Sequence, residues 1–97
     1  MKTWSTYTAK NGTVEHKLTV LDITLAVISV FEDNSFVVVN LYDVEYNKFY
    51  GYSLHAININ ERWIEKIKAG VEQRVLEHLE KYNRLLVNFK SLASEVL

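Results

Sequence analysis

From Asn60 to the C-terminus the apolar residues recur every three or four positions without losing phase. At 100° per residue, Ile64, Ile67, Val71, Val75, Leu79, Tyr82, Leu85, Leu86, Phe89, Ala93 and Val96 fall on one stripe, the pattern of a helix with one buried face. Asn60 is placed to cap it, with Ile59 and Ile64 as a hydrophobic staple. Gly70 lies off the stripe; it costs about 1 kcal/mol inside a helix and marks the place where a kink would fall.

Residues 1–57 follow a different period. Lys10-Asn11-Gly12-Thr13 sits between two alternating runs, and Asn-Gly is the preferred pair of a two-residue hairpin turn. That register sets Tyr7 opposite His16 and Ser5 opposite Leu18 on the core face, with Thr8–Glu15 and Thr6–Lys17 toward solvent. Ile23 to Phe31 is apolar on both faces and rich in β-branched residues, which suits a strand that is central or covered on both sides. One aspartate, Asp22, parts it from the preceding run, so a single long strand bent near Asp22 is expected; a helix over residues 18–31 is the alternative. A strand over Phe36 to Tyr42 puts Val37, Val39 and Leu41 on one face, and another runs from about Phe49 to Ile57. Asn47-Lys48 is a usable turn between them and sets His55 opposite Asn40. The expected architecture is therefore α+β: an antiparallel, meander-like sheet of four to five strands in residues 1–57, then one long amphipathic helix over residues 60–96, all in one domain.

The chain has 97 residues, 48% of them hydrophobic, and no cysteine. A core is affordable, but a domain this small gains from association. A helix from 60 to 96 would be about 55 Å long, against about 30 Å for a nine-residue strand. Its overhang is covered either by a chain that bends at Gly70 and folds back or by a second chain; the second reading, with a second apolar line at Ala69, Leu76 and Val87, points to a homodimer built on Leu76, Leu85, Leu86, Val87, Phe89, Leu92 and Val96. The start of the chain has no apolar h-region and no apolar run reaches membrane-spanning length, so a cytoplasmic protein, or one in a host cytoplasm, is expected.

Net charge is −1, with four basic and six acidic residues in 1–57 and seven and six in the rest. That gives no basic patch to draw nucleic acid. The histidines, His16, His55 and His78, lack metal-ligand spacing, and the close carboxylates Asp43/Glu45 and Glu32/Asp33 fall in turns. No catalytic residue, cofactor site or metal site is expected. The aromatic cluster Tyr42, Tyr46, Phe49, Tyr50 and Tyr52 is the most unusual local feature. It reads as a half-buried hairpin or as a partner-binding surface. The functional expectation is a non-enzymatic, homodimeric module that binds another protein, of the regulatory or inhibitor type, such as a phage-encoded inhibitor of a host enzyme. The alternatives are a nucleic-acid binder using the aromatic hairpin, for which Lys48 alone is interleaved, and a small enzyme with a site between subunits.

Overall fold

A computed structural model describes residues 2–31 and 33–82. Five strands, β1 (Lys2–Thr8), β2 (Val14–Val20), β3 (Ile23–Val30), β4 (Phe36–Tyr42) and β5 (Lys48–His55), are followed by one helix, α1 (Glu61–Tyr82). The strands form one antiparallel sheet in the order β1-β2-β3-β4-β5. The α+β meander read from the sequence is the fold, and residues 18–31 are strand and turn rather than helix.

The helix lies on one face of the sheet. Ile64, Ile67, Val71, Val75 and Leu79 pack into one cluster with Leu18, Val20, Ala26, Ile28, Val37, Val39 and Leu41. Each fully buried side chain of this size contributes roughly 1.5–3 kcal/mol of transfer free energy. The start of α1 is fixed as its chemistry requires. Asn60 Oδ1 accepts from the Trp63 amide at 3.1 Å, and Ile59 and Ile64 are both buried beside it. The Ile59 amide donates to the Asn34 carbonyl at 2.7 Å, and the Ala56 amide to the Ser35 carbonyl at 3.1 Å, which ties the connection to the β3–β4 loop. The helix passes through Gly70, which meets nothing within 4 Å.

Side-chain contacts on both flanks of the helix hold it across the width of the sheet. Toward β1, Glu72 accepts from Trp4 Nε1 at 2.7 Å and from Lys2 Nζ at 2.9 Å, while Lys68 sits over the Trp4 ring. Toward β5, Arg74 lies 4.3 Å from the Tyr50 ring centre, and the His78 ring stacks on Phe49 at 3.6 Å.

Three expectations about the turns are corrected. The Asn-Gly hairpin closes with a three-residue loop. The Ala9 amide donates to the Thr13 carbonyl, the Gly12 amide to the Ala9 carbonyl, and only Gly12 has positive φ (89°). This is a type I turn followed by a left-handed residue, stabilised by Asn11 Oδ1 on the Thr13 amide. The pairing therefore slips by one: Thr6 faces His16 and Trp4 faces Leu18, so Trp4 turns inward and Tyr7 outward. Asp22 is not a bend in one long strand. Leu21 (φ 50°) and Asp22 (φ 64°) are the two left-handed residues of a tight turn that pairs Val20 with Ile23, and an irregularity farther along, opposite Leu18 and Thr19, lets Leu25 and Ala26 both be fully buried. The β4–β5 loop is Asp43–Asn47, with the Asp43 amide on the Asn47 carbonyl and Tyr46 left-handed (φ 64°). His55 consequently faces Phe36, and Asn40 faces Gly51.

Candidate functional site

With α1 on one face, no described residue of the chain covers the other face of the sheet. Alternation and register define what that open face displays. Two transverse rows cross all five strands, Ser5–Lys17–Val27–Asn40–Gly51 and Tyr7–Glu15–Ser29–Val38–Ser53. Between them runs the inward-pointing row Thr6–His16–Ile28–Val39–Tyr52. Beyond the outward rows lie Phe36 and His55 at one end and Tyr42 at the other. Val27, on the central strand, is 8% exposed although it belongs to no part of the helix-side cluster.

The middle of the face is mixed, with Val27 and Val38 among Lys17, Glu15, Ser29 and Asn40, and aromatic groups stand at both ends. Phe31, Phe36 and His55 form a stacked series, with ring centres 5.0 and 4.5 Å apart. Tyr42 and Tyr46 stack at 4.4 Å at the opposite end. Ser29 Oγ donates to Glu15 Oε2 at 3.5 Å, which sets that carboxylate on the open face. The space beside Gly51 is filled by its neighbours: an added Cβ would lie 3.0 Å from Asn40 Oδ1 and 3.4 Å from Lys48 Nζ. Burial raises the Tyr42 hydroxyl above its ordinary pKa, and the neighbouring Tyr46 adds to the shift, so Tyr42 stays a neutral hydrogen-bonding group at physiological pH.

The aromatic cluster read from the sequence divides between the two faces. Phe49, Tyr50 and Tyr52 pack against the helix-side core as partly buried residues. Tyr42 and Tyr46 belong to the open side, Tyr46 with 60% of its surface exposed. Among the self-association residues, Leu76 is buried in the core of the single chain, so it does not form an outward line with the exposed Ala69. Leu85, Leu86, Val87, Phe89, Leu92 and Val96 lie outside the described residues, as does the overhang of the helix. Sequence reasoning missed Val27, Phe31, Phe36 and Val38. The signal for Val27 and Phe31 was present in the two-sided apolarity of residues 23–31, and that for Phe36 and Val38 in their alternation with Val37 and Val39.

A groove of about 790 Å³ lies between the start of α1 and the ends of β1–β3, lined in part by Thr6, His16, Asn60, Glu61, Glu65 and Lys68. Thr6 Oγ1 and His16 Nδ1 are 3.2 Å apart, a contact that follows from their being directly opposed in the ladder. Burial, then the charge of Lys68, hold the His16 imidazole below its usual pKa, against an opposing pull from Glu65. No described hydrogen bond orients the ring from a third group, so the pair lacks the nucleophile–base–orienter arrangement of covalent catalysis. Among the described residues no group of three or more His, Cys, Asp or Glu side chains is arranged to hold a metal ion, and no helix is long and apolar enough to cross a membrane.

No protein-family description matches this chain, and neither does any curated protein or any solved structure.

Proposed function

We propose that this chain is a non-enzymatic protein-interaction module of the regulatory or inhibitor type, whose contact surface is the open face of its sheet and which works by occluding or bridging a partner protein. One observation carries the reading: the sheet has a face that no described residue covers, with Val27 and Val38 near its middle and aromatic groups, Phe36 and Tyr42, at its two ends. Aromatic residues are enriched at protein interfaces, and the rim of such surfaces is polar. Here the rim consists of Thr3, Ser5, Gly51 and Ser53. The two flanks of α1 pin the helix to the opposite face, so the core and the contact surface are separate and the surface can change without loss of the fold.

Val38→Lys tests this directly. Val38 faces away from the helix, so the variant should keep the far-ultraviolet spectrum of the wild type and a cooperative urea transition. Used as bait in extracts of the cells of origin, the wild type should retain a specific protein that the variant releases. A variant retaining everything the wild type retains would show that the open face is not the contact surface.

A further inference from the structure

We infer that the occupant of the open sheet face is a second copy of this chain, stacked face to face about a twofold axis that runs in the face, across the strands, at the level of the inward-pointing middle row. The inference rests on the interaction-module reading and names its partner. Three properties of the face carry it: area, charge and shape.

Five strands about 4.8 Å apart, each some seven residues long at about 3.3 Å, give a face on the order of 24 by 23 Å. Stacking two such faces removes about 1,100 Å² of flat area, before side-chain relief is counted, which reaches the lower end of specific interfaces. Two twisted sheets stack in this way, with strand directions about 30° apart, in every aligned sandwich.

The axis lays one outward row on the other. Lys17 of each copy then stands over Glu15 of its partner, and the pairing occurs twice. These two are the charged residues of the rows, and the rows place them in facing positions. Gly51 of each copy then lies over Ser53 of its partner. Beyond the rows, Phe36 at one end meets Tyr42 at the other, so aromatic lies on aromatic. A twofold through any other level loses the charge match. The resulting assembly has four layers, helix–sheet–sheet–helix, with both helices outward and two identical outer surfaces, a form suited to bridging.

Charge reversal tests the axis as well as the dimer. Sedimentation equilibrium on the full chain, from low to high micromolar, should give a dimer for the wild type. Lys17→Glu and Glu15→Lys each put like charges face to face twice, so each alone should raise the dimer dissociation constant by about tenfold or more. An equimolar mixture of the two single variants should recover a dimer, because one face is then doubly acidic and the other doubly basic. The double variant Glu15→Lys/Lys17→Glu should recover it too. Recovery on mixing also shows that both variants are folded. A monomeric wild type, single variants as dimeric as the wild type, or a mixture that stays monomeric would each overturn the inference. A monomeric wild type that still retains a different protein, released by Val38→Lys, would overturn the second copy as occupant while leaving the interaction-module reading standing.

Discussion

Glu72 shows how much one side chain can organise. It lies on the flank of α1 and accepts two hydrogen bonds from the edge strand, from Trp4 Nε1 at 2.7 Å and from Lys2 Nζ at 2.9 Å. An edge strand has one neighbour, so β1 relies on such contacts for its docking onto the helix. Glu72→Ala leaves a partly buried indole N–H without its acceptor. The expected cost is about 1–2 kcal/mol, at the lower end because the site keeps some access to water. Glu72→Gln keeps an acceptor for Trp4 and loses only a half-exposed ion pair, about 0–1 kcal/mol. Urea unfolding should rank wild type, Gln and Ala in that order, with a red shift of tryptophan emission in the Ala variant. Equal midpoints for all three would mean that this clamp contributes nothing to stability. The pair was not legible in the sequence, for two reasons. Its members are 68 positions apart, and a two-residue turn at Asn11-Gly12 would have pointed Trp4 away from the helix.

At the scale of elements, the helix and the order of the strands were legible, and the turns were not. Periodicity is set by burial, so a stripe such as Ile64, Ile67, Val71, Val75 and Leu79 reports directly which face meets the core. Turn type is set by the φ values of two or three residues, and the same residues serve more than one turn. Asn11-Gly12 carries the strongest signal for a type I′ turn yet forms a three-residue loop. Leu21-Asp22, which carries none, adopts the two consecutive left-handed conformations that define one. The cross-strand pairs on either side impose that geometry on a residue that resists it, since left-handed backbone costs an ordinary residue about 1–2 kcal/mol. Leu21 is also half exposed, so its side chain gains little core contact in return. Replacing Leu21-Asp22 by Asn-Gly should therefore stabilise the protein by about 1–2 kcal/mol, visible as a higher urea midpoint with an unchanged slope. A lower midpoint would show that Leu21 makes a stabilising contact that outweighs its backbone strain. The same comparison accounts for the split aromatic cluster. A run of tyrosines on a strand says that the strand is amphipathic, and only the register says which tyrosine lies on which side.

For the molecule as a whole, the pH dependence of stability follows from two histidines at opposite ends of the helix. Burial, with a contribution from Lys68, lowers the pKa of His16 from its usual 6.5. Burial, with Lys81 adding and Asp43 opposing, lowers that of His78 from the same value, where the ring stacks flat on Phe49. In the unfolded chain both return to about 6.5. Just below that pH the unfolded state binds more protons than the folded one, so the free energy of unfolding rises with pH through this window. The contribution is complete above about 6.5 and is lost progressively as the pH falls through it toward the two folded-state values. Carboxylates act in the same direction but lower down; Asp33 is held below its usual 3.8 by its hydrogen bonds to Ser35, so its effect belongs to more acidic solutions. Urea midpoints measured at one fixed protein concentration should fall on acidification from neutrality through pH 6.5, and the fall should shrink in His16→Gln and in His78→Gln and nearly vanish in the double variant. A fixed concentration matters because a dimer would couple association to unfolding. A wild-type midpoint that stays flat or rises across that interval would mean that neither imidazole is held neutral by the fold. Because one histidine sits where the helix meets β1 and β2 and the other where it meets β5, the two single variants separate the ends of the helix–sheet contact. Loss of slope in one single variant and not in the other would place the linked protonation at that end of the contact.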